Sequence, residues 1–454
     1  MYGQATVIGD AMNSTLAKYL LYYPVTTLKG EFVFRYLGQY DRFQWLPPDD
    51  IRQYQLDRLR KLVQAAINGS AYYRQVYAEN GISVDRIRSL DDLRALPYVS
   101  KQNLIAHQER MSIGRNWFAS VKTTGGSTGE PVRLLKTATA LARERAATWR
   151  AYAWAGIQVG DPQGRFWGVP HLRNTRFIAR LTDFVANRRR LSAFNITPDS
   201  LSGYLEELRH FRPAWLYGYV SAIEALADHM LLHGLPAIDT LKCVITTSEV
   251  LTAGAREKIQ KAFGVRVYNE YGCGEVGSIA HECEHGRLHL MEDNLIVEVD
   301  APPGQPGELI VTDLYNLATP LIRYRLGDFG TIDPEPCACG RKLSVLGSVH
   351  GRAYDLVRTP SGRRIHPEAV IYIFENIQAR TGAFRQFQVV QTELDQMLVR
   401  LIPSGVMTPE DCDSLIAALK REISAEINYR IEICTMLERE KSGKMRVVKS
   451  ALGR

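Results

Sequence analysis

Residues 122–131 read Lys-Thr-Thr-Gly-Gly-Ser-Thr-Gly-Glu-Pro, so the hydroxyls of Thr123, Thr124, Ser127 and Thr128 are interleaved with Gly125, Gly126 and Gly129. Glycine lets backbone N–H groups come close to an anion, and hydroxyls add donors that rotate to suit phosphate oxygens. A loop of this composition grips a polyanion, most often a nucleoside triphosphate. A polar turn between two elements is the plainer reading. It is not the Gly-x-x-x-x-Gly-Lys-Ser/Thr phosphate loop, because Glu130 stands where that lysine is needed.

Two apolar runs further on end in polar residues. Cys243 to Thr247 leads into Ser248 and Glu249, and Val265 to Tyr268 leads into Asn269, Glu270, Tyr271 and Gly272. Trp167, Tyr217, Tyr219 and Ser221 supply rings and a hydroxyl suited to the wall of an acyl pocket, or equally to a core. Cys283-x5-His289 and Cys337-Ala338-Cys339 together offer three sulfurs and an imidazole. That is the ligand set of a closed, structural zinc site, with His281 and His285 as competing ligands and free cysteines as the plainer reading.

These groups need a scaffold, and the apolar periodicity supplies one. Leu56, Leu59, Leu62, Val63 and Ala66 share a stripe on a helix over 52–67, and further helices are expected over 137–156 and 252–263. Strand–helix alternation implies an α/β fold with a mostly parallel sheet, whose carboxyl ends gather the polar tails. Segments 295–300, 308–312 and 330–333 read as antiparallel strands of a β subdomain at about 290–350. After Arg352 the pattern changes to strands over 386–391, 397–402 and 430–434. Between them lies a helix opened by Thr408 and Pro409 and lined by Leu415, Ile416, Leu419, Ile423 and Ile427. The expected division is a large N-terminal domain, 1–351, and a small α+β domain, 352–454.

At 454 residues the chain exceeds a single ordinary core, and 45% hydrophobic with 23% charged residues is a soluble globular composition. A net charge of +7 suits acidic small molecules, and no nucleic-acid-binding motif accompanies it. Seven unevenly spaced cysteines point to a reducing, cytoplasmic compartment. No signal peptide or bilayer-spanning run is read. The Tyr-, Phe- and Leu-rich stretch Tyr19 to Tyr36 is expected to pack on the protein's own core instead of resting on a membrane. Arg173, Arg176, Arg180, Arg188, Arg189 and Arg190 are expected on a solvated helical face. The functional alternative is a patch for a phosphorylated co-substrate, an acidic partner or anionic lipid.

The order of these motifs resembles the adenylate-forming acyl-ligase superfamily, in particular phenylacetate–coenzyme A ligases and their relatives in capsular-polysaccharide biosynthesis. The resemblance rests on Thr123 to Pro131, Thr247-Ser248-Glu249, Tyr268 to Glu275, Tyr324-Arg325-Leu326-Gly327-Asp328, Gly351-Arg352 and Lys441-Ser442-Gly443-Lys444. It implies that Thr123 to Gly129 hold the ATP β- and γ-phosphates, and that Ser248 and Glu249 border the adenine and acyl pockets. It also implies Tyr271 beside the adenine or α-phosphate, within the nucleotide-binding stretch Asn269 to Gly272. Glu275 would bind Mg²⁺, Asp328 both ribose hydroxyls, Arg352 a ribose or phosphate oxygen, and Lys444 the reacting carboxylate and bridging oxygen. Thr128, Glu275 and Lys444 are the implied catalytic set, and some relatives carry a structural Zn²⁺.

The implied activity joins a small carboxylic acid to AMP and then hands the acyl group to an acceptor, coenzyme A by default. Tyr354 stands at the usual acidic hinge position, with Asp355 next, and keeps an amine acceptor open. A catalytically silent nucleotide-binding scaffold is a third reading, and a homodimer is one option for the assembly.

Overall fold

The structure is a computed structural model. It describes residues 11–114, 119–124, 132–168, 173–193, 196–302, 304–352, 357–362, 364–365, 367–405, 407–438 and 445–452, side chains excepted at 123–124, 173–176, 350–352, 364, 367–369, 372, 375–376 and 379. Two compact units emerge: Met1–Leu326 with Thr331–Gly347, and Gly327–Gly330 with Ser348–Arg454.

In the first unit, helices α1 (Ser14–Leu16), α2 (Tyr23–Leu28) and α3 (Val33–Phe43), with a π-helical stretch Ala17–Tyr22, precede α4 (Pro48–Gly69), α5 (Ala71–Glu79) and α6 (Lys101–Met111). Helix α4 buries Ile51, Gln55, Leu59, Leu62, Val63 and Ala66, so the expected stripe forms with Gln55 in it and with Leu56 only half-buried. The Gln55 amide donates to the carbonyls of Glu292 and Leu295, which satisfies it in the core. Strands β1 (Ser120–Thr124) and β2 (Val132–Lys136) make a separate two-stranded antiparallel ribbon with Thr124 opposite Val132.

Helix α7 (Ala138–Trp154) follows, capped by the Thr137 hydroxyl accepting from the Ala140 N–H. The chain then alternates: β3 (Gln163–Trp167), α8 (Arg173–Val185), β4 (Arg188–Ser192), α9 (Pro198–Phe211), β5 (Trp215–Tyr219), α10 (Val220–Leu232), β6 (Cys243–Thr247), α11 (Ala253–Phe263) and β7 (Arg266–Cys273). These five strands are parallel, in the order β4-β3-β5-β6-β7. One face carries Phe166, Leu216, Val244 and Val267 against Leu205, Ile223 and Ile259 of the covering helices. The opposite face carries Trp215, Tyr217, Ile245 and Tyr268 against Tyr152 of α7.

Strands β8 (Gly277–Glu282) and β9 (Leu288–Leu290) continue antiparallel from β7. The strands β10 (Leu295–Asp300), β11 (Gly307–Asp313), β12 (Tyr324–Asp333) and β13 (Val345–Arg352) complete an eleven-stranded sheet. The antiparallel strands expected in a β subdomain are thus hydrogen-bonded into the same sheet as the parallel ones.

In the second unit, β14 (Val357–Arg358), β15 (Arg364–Ile365) and α12 (Pro367–Thr381) precede β16 (Phe384–Glu393), β17 (Gln396–Pro403), α13 (Pro409–Glu422), β18 (Asn428–Ile433) and β19 (Val448–Ser450). A four-stranded sheet, β18-β17-β16-β19, packs with both helices around Phe374, Phe384, Val399 and Leu419. Thr408 caps α13 in a reciprocal box with Asp411.

Two expectations fail, each for a physical reason. Arg188–Arg190 lie on strand β4, not on a helical face. There Arg188 and Arg190 pair with Asp183 and Arg189 pairs with Glu207, so these guanidiniums serve the fold. The stretch Tyr19 to Tyr36 is only half absorbed. Tyr22, Thr26 and Val33 are buried, whereas Tyr19, Leu20, Leu28, Phe32 and Phe34 are exposed.

Strands β3 and β5 approach so closely that a Cβ at Gly218 would sit 2.4 Å from the Phe166 carbonyl oxygen and 2.7 Å from its Cβ. Gly218→Ala is expected to lower stability by about 2–3 kcal/mol through overpacking. A urea midpoint unchanged from the parent would contradict this.

Candidate functional site

The carboxyl ends of the parallel strands lie side by side, which sets Trp167, Tyr219, Ser248 and Asn269–Tyr271 along one edge. The Trp167 ring stacks on Tyr217 at 5.9 Å and packs on Tyr219 at 4.5 Å. The Arg165 guanidinium lies over both Trp167 and Tyr217, at 4.4 and 4.9 Å. Ser248 turns out of β6 at φ 70°, a left-handed conformation that costs a non-glycine residue about 1–3 kcal/mol.

Two acids at this edge are engaged internally. Glu249 accepts from the Ser221 N–H at 2.7 Å and from its hydroxyl at 3.0 Å. This caps the start of α10, where Tyr219 offers no side-chain cap. Ser221 is therefore buried with its hydroxyl committed to Glu249. Glu270 accepts from Tyr152 at 3.0 Å and from Ser278 at 2.7 Å.

Beneath the ribbon lies a compact group of charges. Lys122 Nζ donates to Glu144 Oε1 at 2.8 Å, and Lys136 Nζ donates to Glu144 Oε2 at 2.7 Å and to the Val276 carbonyl at 3.1 Å. Asp313 lies 3.6 Å from Lys136 Nζ. The 274–276 turn between β7 and β8, which carries Glu275, is thereby tied to the base of the ribbon that carries the hydroxyl–glycine loop. Gly277 makes room for this, at φ 90° and with a Cβ position 2.4 Å from Glu144 Cδ. Burial opposes ionisation of Glu144, but Lys136 and Lys122 outweigh it and pull its carboxyl down to about 2. Burial also opposes the charge on Lys136, and Glu144 and Asp313 overcome it. Lys122 stays below the usual lysine range because its burial outweighs Glu144.

Cys283, His289, Cys337 and Cys339 converge, with all candidate ligand atoms within 4.8 Å of one another. Cys283 and Cys337 sulfurs are 3.6 Å apart, and Cys339 Sγ is 3.2 Å from His289 Nε2. A tetrahedral ion with metal–sulfur bonds of about 2.3 Å requires sulfurs ~3.8 Å apart. The other imidazole nitrogen, Nδ1, is 3.0 Å from the Leu343 carbonyl, and the His285 N–H points at Cys283 Sγ from 3.3 Å. Such outer contacts orient metal ligands. Neither His281 nor His285 is in the group.

Residues 357–451 match the CapK C-terminal domain family. The chain is 26% identical over 419 residues to the phenylacetate–coenzyme A ligase of Thermus thermophilus, covering 86% of this chain and 92% of that protein. It is 24% identical over 409 residues to protein CapK of Staphylococcus aureus, covering 88% and 89%. In fold it is similar to 2-hydroxyisobutyryl-CoA ligase in its postadenylation state, at a TM-score of 0.71 and 22% identity over 90% of this chain and 92% of that one. The chain belongs to the adenylate-forming acyl-ligase superfamily. Within it, the branch is that of the phenylacetate–coenzyme A ligases and CapK.

For a member of this superfamily, the motif residues are distributed as follows. Thr123 and Thr124 close β1, while 125–131, with Gly125, Gly126, Ser127, Thr128 and Gly129, lie outside the described residues, as does Lys444. Tyr271 and Gly272 end β7, and Glu275 follows in the turn. Asp328 is half-buried on β12 and Arg352 ends β13, both in the second unit by chain contacts. Sequence reasoning overlooked Lys136, Glu144 and Arg165. Lys136 had a readable signal: Val132, Leu134 and Lys136 share the inward face of β2, so the lysine had to be buried with a partner.

Glu144→Gln leaves buried Lys136 and half-buried Lys122 sharing no carboxylate and is expected to cost about 3 kcal/mol at neutral pH. The folded carboxyl titrates near 2 and the unfolded one at 4.5, so its contribution is complete above 4.5 and lost as pH falls toward 2. Denaturation curves of parent and variant should therefore converge across that window. A constant gap would refute the assignment.

Proposed function

We propose that this protein is an ATP-dependent carboxylate ligase that forms an acyl-adenylate and then passes the acyl group to coenzyme A. The reading draws on the phenylacetate–coenzyme A ligases it resembles. The observation that carries it is the Lys122–Glu144–Lys136 group, which holds the base of the phosphate-type loop against the turn bearing Glu275.

The chemistry sets the requirements. A carboxylate oxygen bonds to the α-phosphorus of ATP, the bond to the bridging oxygen breaks, and pyrophosphate leaves with that electron pair. Both reactants are anions, so donors must neutralise the developing charge. Thr123 to Gly129 provide hydroxyl and amide donors for the β- and γ-phosphates, and Lys444 provides an ammonium for the carboxylate and bridging oxygen. Asp328, as an ionised acceptor, takes both ribose hydroxyls. Glu275 would hold Mg²⁺, which would supply positive charge to offset that of the phosphate oxygens. Trp167, Tyr217 and Tyr219 wall the acyl pocket, with Arg165 against their rings.

An amine acceptor is the second reading, kept open by Tyr354 at the usual acidic hinge position together with the resemblance to the capsule-type branch. Product analysis with coenzyme A against amino sugars and amino acids separates the two.

The Cys283, His289, Cys337 and Cys339 group is read as a structural zinc site that pins the β8–β9 hairpin to the 337–339 loop. Purified protein is expected to hold about one zinc per chain. Cys339→Ser should lower both zinc content and melting temperature, and full retention of both would remove the site.

Carboxylate-dependent ATP–pyrophosphate exchange across an acid library tests the main reading. Lys444→Ala should slow exchange by about 10²-fold or more while ATP still binds in calorimetry. Absence of exchange with every acid in the library would leave a silent nucleotide-binding scaffold, and exchange undiminished by the substitution would remove Lys444 from the reaction.

A further inference from the structure

Helix α8 is folded inside out. Its apolar residues Phe177, Ile178, Leu181 and Phe184 are 71, 64, 56 and 56% exposed, whereas its acid, Asp183, is buried against Arg188 and Arg190. A soluble helix ordinarily turns such a stripe inward. Helix α8 lies against the π-helical stretch Ala17–Tyr22, whose Tyr19 and Leu20 are exposed too. From there ring contacts run from Tyr19 to Tyr23 at 5.8 Å, to Phe34 at 5.7 Å and to Phe32 at 6.4 Å. The surface is therefore one connected apolar face, of the kind that marks a partner site.

Its charge identifies the partner. Residues 11–45 and 173–185 contain the bases Lys18, Lys29, Arg35, Arg42, Arg173, Arg176 and Arg180 and the acids Glu31, Asp41 and Asp183. Two of those acids are withdrawn from the surface: Glu31 is buried in an ion pair with Arg145, and Asp183 is paired as above. Lys18 holds its ammonium over the Tyr19 and Tyr23 rings at 5.0 and 5.8 Å, at the rim of the apolar patch. Segments richer in bases than acids, with Lys18 against exposed aromatic rings, have the chemistry of a helix lying in a membrane interface. A second copy fits poorly, because a two-fold contact would set like charges against each other. Among the described residues no helix is long and apolar enough to cross a bilayer.

We propose that the α8 and Tyr19–Phe34 face docks the protein on an anionic lipid surface. Each basic residue near such a surface raises partitioning about fivefold, and the attraction falls with salt. The test is co-sedimentation of the full chain with phosphatidylglycerol–phosphatidylcholine vesicles and with phosphatidylcholine vesicles, at low salt and at about 0.5 M salt. The expected result is at least about tenfold stronger partitioning onto the anionic vesicles, weakened by salt. Phe177→Ser with Leu181→Ser, and separately Lys18→Glu with Arg180→Glu, should each reduce it about tenfold or more. Far-ultraviolet circular dichroism and ATP–pyrophosphate exchange of both variants should match the parent. Partitioning that ignores lipid charge, or that neither variant weakens, overturns the proposal. So does a dimer, seen by light scattering, that dissociates in the Phe177/Leu181 variant while vesicle binding is absent.

Discussion

Two lysines sharing one half-buried carboxylate form the constraint on which this fold depends. Lys122 and Lys136 come from the ribbon and Glu144 from the buried helix α7, while Asp313 ends β11. Two positive and two negative groups neutralise one another, which is what makes their burial tolerable. The spare hydrogen-bonding capacity of Lys136 reaches the Val276 carbonyl, so the same group fixes a turn of the main sheet. One electrostatic cluster thus ties the β1–β2 ribbon to a turn bearing a carboxylate, from segments more than a hundred residues apart in sequence.

The carboxyl edge of the sheet shows a division of labour among polar residues of similar appearance. Glu249 completes the first turn of α10, and Glu270 closes a buried chain with Tyr152 and Ser278. Both acids belong to motifs, yet their oxygens are occupied by the protein itself. The rings of Trp167, Tyr217 and Tyr219 pack on one another at this edge, with the Arg165 guanidinium against them. The strained backbone at Ser248 persists because β6 on one side and the Glu249 cap on the other leave it no alternative.

Much of this architecture was legible because local chemistry and tertiary need agree. Apolar runs such as Cys243–Thr247, each followed by a capped helix, can only be buried parallel strands, and Thr252 and Thr408 announce their helices by side-chain capping. The cysteine and histidine spacings likewise led to residues that converge in space. What escaped reading is long-range pairing. Glu144 on a helix looks like a solvent charge until Lys122 and Lys136 arrive from a neighbouring ribbon. Three consecutive arginines hide the strand alternation of β4, since their aliphatic stems are buried and their heads are paired. The aromatic N-terminal stretch misleads in the opposite sense, because apolarity alone does not say which ring faces the core and which faces water.

Among the described residues, the ribbon formed by β1 and β2 shares no ladder with the eleven-stranded sheet. It is fastened by side chains: the Lys122 and Lys136 contacts, together with the Thr319 hydroxyl accepting from the Leu135 N–H and the Asn316 amide donating to the Leu135 carbonyl. A hairpin clipped on in this way can be lengthened, shortened or recomposed at its tip without shifting the register of any strand in the scaffold. The segment that joins β1 to β2 and the part that keeps the molecule folded can therefore diverge at different rates.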